Sequence, residues 1–119
     1  MTPRDAVLDY VNRHLTDRRL SVRTVCRQFR ISPRTLHNVF ADSELTFAAT
    51  VRALRLERCA QILADPASDT TITEVGLAHG FDAPESFSRA FRRRFGVSPR
   101  QMRGSVRVRT SPRPRTLAD

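Results

Sequence analysis

A chain of 119 residues has room for about one small domain with a modest core. Its formal charge of +9 points to a polyanionic partner, nucleic acid first and an anionic membrane surface second, and all 21 basic residues are arginine. No stretch is long or apolar enough to span a bilayer, and two cysteines far apart, Cys26 and Cys59, form neither a disulfide framework nor a zinc spacing.

Thr2 and Pro3 make a helix start, a hydroxyl cap followed by a residue that needs no N–H. Val7, Tyr10, Val11 and Leu15 follow at spacings of three and four, so a first helix is expected at about 4–15. Ser21 caps the next one, about 22–29, with Val22, Val25, Cys26 and Phe29 as its apolar stripe. Arg30-Ile31 is the turn. Ser32-Pro33 then starts a third helix that runs to about Ala41. Leu36, Val39 and Phe40 face inward, and Arg34, Thr35, His37 and Asn38 face outward, suited to base edges or simply to water.

Thr46 caps a longer helix, about 47–64, with Phe47, Val51, Leu54, Leu56, Cys59, Ala60 and Leu63 on its buried side. Arg52, Arg55 and Arg58 are expected to be exposed. Asp65-Pro66 ends it. Thr71-Ile72-Thr73-Glu74 fits a capping box for a fifth helix, about 72–79, and Gly80 stands where a left-handed cap is wanted. Pro84 suits the first turn of a sixth helix, about 84–95, whose stripe is Phe87, Ala90, Phe91 and Phe95. Ser98-Pro99 starts a short seventh helix, about 99–104. Residues from about 105 to the end are basic, proline-rich and without period, and are expected to be disordered.

Two stretches repeat. Ser21, Val22, Val25 and Ile31 align with Thr71, Ile72, Val75 and Phe81; beyond the turn, Leu36, Val39 and Phe40 align with Phe87, Ala90 and Phe91. The expectation is therefore an all-α chain of seven helices. Its parts are a first helix-turn-helix subdomain (1–45), a linker helix (46–64), a second subdomain (65–104) and a basic tail (105–119). A linker of about 18 residues spans roughly 27 Å. Successive major-groove faces on one side of B-DNA lie about 34 Å apart, so one chain can address two of them.

The stretch Gly80-Phe81, then Phe87-Ser88-Arg89-Ala90-Phe91-Arg92-Arg93-Arg94-Phe95-Gly96-Val97-Ser98-Pro99, and a late Arg103, resembles the signature of the AraC/XylS family of bacterial transcription regulators. Arg55-Leu56, Ala60 and Leu63 resemble the family's linker helix, and Leu20-Ser21 with Ser32-Pro33-Arg34-Thr35-Leu36 its first unit. The resemblance implies seven helices, two helix-turn-helix units, and action as an activator or, less often, a repressor. Two positions depart from the family: Arg30 replaces a usual glycine in the first turn, which can strain it, and Gly76 replaces a usual alanine, which softens the fifth helix.

The resemblance makes the third and sixth helices the two recognition helices. Base contacts are then expected from Arg34, His37 and Asn38, and from Glu85, Ser86, Ser88 and Arg89. The chemistry fits, since arginine forks onto guanine, asparagine onto adenine, and a carboxylate accepts from a cytosine amine. Backbone phosphates are expected at Ser32, Arg92, Arg93, Arg94, Arg100 and Arg103, although Arg92–Arg94 also reads as a solvated charge run. No catalytic residue, metal site or cofactor is expected. His14, His37 and His79 form no ligand set with a cysteine, and an alkyl-transfer enzyme would need a reactive thiol where both cysteines fall in apolar stripes.

The function expected is sequence-specific binding of double-stranded DNA by a monomeric cytoplasmic (nucleoid) regulator, a stand-alone protein or a fragment of a larger one. The alternative is a helical interaction module that recruits RNA polymerase or another protein, with weak DNA binding.

Overall fold

The computed structural model describes residues 1–110, with side chains through Ser105. The described residues form α1 (Pro3–Arg13), α2 (Val22–Phe29), α3 (Pro33–Val39), α4 (Phe47–Ala64), α5 (Ile72–Ala78), α6 (Pro84–Phe95) and α7 (Pro99–Thr110), with no strand among them.

Most of the helix starts are written in the local sequence. Thr2 Oγ1 accepts from the Asp5 amide while the Asp5 carboxylate accepts from the Thr2 amide, a capping box just before Pro3. Ser21 and Thr24 form the same reciprocal pair ahead of α2. Ser32 Oγ accepts from the Thr35 amide at 3.1 Å, and Thr46 Oγ1 accepts from the Ala49 amide at 3.1 Å. Thr71 with Glu74 and Ser98 with Gln101 close the boxes of α5 and α7. At α6, Ala83 offers no side-chain cap, and Pro84 instead removes one orphan donor.

The residues cluster into two compact units. One holds Met1–Glu57 with Ala78–Gly80, and the other holds Arg58–Leu77 with the described chain after Gly80. In the first unit, α1, α2, α3 and the start of α4 enclose Val7, Val11, Leu15, Val25, Cys26, Leu36, Phe40, Phe47 and Val51. α1 stops at Arg13 rather than at residue 15, because His14 leaves the helical conformation at φ −125°, ψ 21°. The carbonyls beyond it turn to a side chain instead. Arg55 Nε donates to the Leu15 carbonyl at 2.9 Å and Nη2 to that of Asp17 at 3.1 Å. Arg55 is therefore half-buried and structural, not the solvent-facing residue its position on a polar stripe suggests.

The turn between α2 and α3 keeps its geometry despite the departure at position 30. Arg30 adopts the left-handed conformation, φ 57° and ψ 46°, and the Ile31 amide donates back to the Cys26 carbonyl at 3.0 Å. After α5, Gly80 has φ 89° and the Phe81 amide donates to the Gly76 carbonyl, also at 3.0 Å. The repeat thus extends to the backbone of the turns. A β-carbon in this conformation costs roughly 1–2 kcal/mol. Arg30 is the only non-glycine residue to carry that cost among the described residues.

In the second unit the core is aromatic. Phe87 lies between Phe81 and Phe91, with ring centroids 5.2 and 5.8 Å away, and Phe91 meets Phe95 at 4.6 Å. Val75, Cys59 and Leu63 are buried with them. Gly76 is buried directly against the Phe87 ring, so its missing β-carbon is a packing requirement as well as a helix weakness. α7 runs six residues beyond the expected end at 104. Gly104 continues the helix at some cost in propensity and does not stop it. The part of the expected disordered tail beyond Thr110 lies outside the described residues.

Candidate nucleic-acid interface

α3 is held by one face. Leu36 is fully buried and Phe40 nearly so, with Val39 half-buried beside them. A helix pinned on that stripe must turn Arg34, Thr35, His37 and Asn38 outward, and all four are exposed. The Ser32 hydroxyl at its start lies 3.0 Å from Thr35 Oγ1. His37 also borders an open groove of about 320 Å³ with Phe40, Leu45 and Phe47.

α6 repeats the arrangement on a longer helix. Phe87, Ala90 and Phe91 are buried; Glu85, Ser86, Ser88, Arg89, Arg92, Arg93 and Arg94 are exposed. Positions 85, 88, 89 and 92 fall on one helical face. They line an open groove of about 400 Å³ together with Ser98. This groove mixes one carboxylate, two hydroxyls and two guanidiniums, a set able to address base edges and phosphate oxygens.

A family model, curated relatives and solved structures match the chain. The helix-turn-helix domain family matches residues 25–105. An AraC-type DNA-binding domain-containing regulator from Chromobacterium violaceum superposes with a TM-score of 0.77 at 25% identity, covering 89% of this chain and 90% of that one. This chain belongs to the AraC-type helix-turn-helix family. The DNA-binding domain of the global transcriptional factor AdpA, solved in complex with a target DNA, superposes with a TM-score of 0.75 at 26% identity, over 98% of this chain and all of that one. Among full-length relatives, the transcriptional activator RhrA of Rhizobium meliloti is 29% identical over 93 residues, which is 78% of this chain and 30% of RhrA. The chain thus spans under a third of that relative's length. The matched proteins are transcription regulators, not enzymes.

Within this AraC-type domain, the sequence-expected residues separate into groups. Glu85, Ser88, Arg89 and Arg92 come together on one groove; Ser86 and Arg93 are exposed but do not line it. Arg94 lies over the Phe95 ring, its Cζ 5.9 Å from the centroid, a cation–π placement that ties it to the helix end. Arg100 is exposed at the start of α7.

Arg103 is placed against the expectation. It is only 9% exposed and donates through Nη1 to the Thr70 carbonyl, while its Nη2 is buried without a hydrogen-bond partner. It holds α7 to the loop before α5 and is withdrawn from the set of phosphate contacts.

Ser98 enters the site instead. Its Ser-Pro signal marks a helix start, and only the packing of α6 beside that start brings it next to Arg89 and Arg92.

The thiols do not add chemistry. Cys26 is buried, and the fully buried Cys59 lies 3.9 Å from the Val75 carbonyl with its pKa pushed up by burial to about 12, far from a reactive thiolate. Among the described residues no His, Cys, Asp and Glu group is placed to hold a metal ion, and no helix is long and apolar enough to cross a membrane.

Proposed function

We propose that the chain reads specific sequences in double-stranded DNA with α3 and α6 as its two recognition helices, each in a major groove and the two grooves adjacent. The observation that carries this reading is the shared design of the two helices. Each follows a left-handed turn, each is fixed by a buried apolar stripe, and each leaves a polar outer face. The DNA complex solved for AdpA supports the same reading.

Arg34 and Asn38 take guanine and adenine edges by bidentate pairing, with His37 between them in register. Glu85 accepts from a cytosine amine, and Ser86, Ser88 and Arg89 read neighbouring edges. Ser32, Arg92, Arg93, Arg94 and Arg100 hold phosphates and set the register without reading sequence. In this reading residues 1–45 and 65–104 are the two DNA-reading subdomains and 46–64 the linker between them. The chain acts as a monomer in the cytoplasm. The name of RhrA supports activation, and an activator's natural protein partner is RNA polymerase.

Binding isotherms on a selected site and on its single-box mutants test the roles. Arg34→Ala or Asn38→Ala is expected to cost about 1–3 kcal/mol and to relax preference in one box only. A uniform loss over every sequence contradicts the base-reading role and assigns those residues to phosphate.

A further inference from the structure

The first unit carries a second groove that none of the expected DNA contacts lines. It holds about 480 Å³ between the end of α1, the following connector, and α2 with its turn, within the usual range of about 300–1,000 Å³ for small-molecule sites. Its lining includes Tyr10, His14, Arg19, Thr24, Arg27 and Arg30. Three guanidiniums therefore share one concave surface.

The only carboxylate on the groove, Asp17, is engaged with Arg19. It accepts from the Arg19 amide at 2.9 Å and lies 3.4 Å from Arg19 Nε. Among the described residues the guanidiniums of Arg27 and Arg30 have neither a carboxylate nor a hydrogen-bond partner, Arg30 bonding only through its backbone N–H to the Cys26 carbonyl. His14 Nδ1 lies 2.7 Å from the Tyr10 carbonyl, which can only accept, so Nδ1 carries the proton. The imidazole stacks on Tyr10 at 4.0 Å, giving the groove a fixed aromatic wall.

An independent observation concerns Arg30 itself. It occupies a left-handed position that glycine fills without strain, and the side chain kept there lines this groove. Strained backbone of this kind clusters at functional sites.

We propose that this groove binds a phosphate group, clamped by the Arg27 and Arg30 guanidiniums with Arg19 beside them. Arginine forks match phosphate oxygens in pairs, and two uncompensated forks suit an anionic phosphate group. The phosphate has two possible sources, a free phosphorylated small molecule or the backbone of bound DNA. The first does not rest on the base-reading role of α3 and α6.

The test titrates the intact chain with sodium phosphate at constant ionic strength and follows arginine Nε–Hε resonances by NMR. If the phosphate is free, the Arg27 and Arg30 signals shift together and saturate while that of Arg52 does not. Arg27→Gln then weakens binding about tenfold. Arg30→Gly does the same without lowering the thermal midpoint, since glycine suits the turn, so the loss is not one of folding.

A second arm measures the salt dependence of binding to random duplex DNA. If the phosphate is DNA-borne, Arg27→Gln lowers the slope of log K against log salt by about 1 and leaves box preference unchanged. The charge-matched Arg13→Gln, at a residue paired with Asp9 outside the groove, does not. Absence of both saturable phosphate shifts and a slope change specific to Arg27 overturns the proposal. Loss of box preference in the wild-type chain would instead count against the base-reading role.

Discussion

A β-carbon at position 76 would sit 2.8 Å from Phe87 Cδ2 and 2.9 Å from its Cγ. Phe87 is fully buried between two other rings and has little room to move. Gly76→Ala gains up to about 1 kcal/mol of helix propensity but overpacks the core, which typically costs about 1–3 kcal/mol. The expected outcome is a lower thermal midpoint than wild type; an unchanged or higher one would show that the ring shifts freely. Arg103 carries the opposite lesson. Its place in the signature suggests a surface cation, yet its buried guanidinium serves the Thr70 carbonyl. Arg103→Ala is expected to destabilise the fold by about 1–3 kcal/mol, because it leaves that carbonyl short of a donor. Arg92→Ala is expected to leave the stability within about 0.5 kcal/mol of wild type and to weaken DNA binding. Paired melting and binding curves separate the two roles, and a midpoint unmoved by Arg103→Ala would return Arg103 to the surface set.

At the scale of the helices, the starts of α1, through Asp5, and of α5, through Glu74, are tied to pH. Glu74 accepts from the Thr71 amide and hydroxyl, and these two bonds hold its carboxyl below the usual range, the backbone one most strongly. A carboxyl with a depressed folded pKa contributes stability that is fully present above its unfolded value, about 4.3, and fades as pH falls through the folded value. Glu74→Gln keeps an acceptor for the cap and removes this titration. The variant's midpoint should therefore change less than that of wild type between pH 5 and pH 3, taken as about the span of the transition; equal changes would place the acid sensitivity elsewhere. The helices also show what was legible in the sequence. α2, α4 and α6 occupy the residues expected from spacing and caps, because a cap is a bond between neighbours in sequence. Helix ends were less legible: α1 and α3 each stop two residues early and α7 runs six long. Those ends depend on contacts such as Arg55 with the Leu15 carbonyl, forty positions away. The outward faces of α3 and α6 were legible from their stripes. The burial of Arg103 and the arrival of Ser98 beside Arg89 were not, because both depend on how α7 packs in the folded unit.

For the whole molecule, the net charge of +9, in which every cation is arginine, sets a general attraction to DNA that salt must weaken. This attraction does not choose a sequence. In the proposed reading, choice comes from the two faces that carry Arg34, His37 and Asn38 on α3 and Glu85, Ser88 and Arg89 on α6, turned outward by buried stripes in their own units. The central claim is therefore that one chain reads two boxes. Selection of binding sites from a random duplex pool at physiological salt tests it most directly. The account predicts a split site, two conserved boxes about one helical turn apart, bound by one chain. Recovery of a single box, or of no preferred sequence at all, would contradict it.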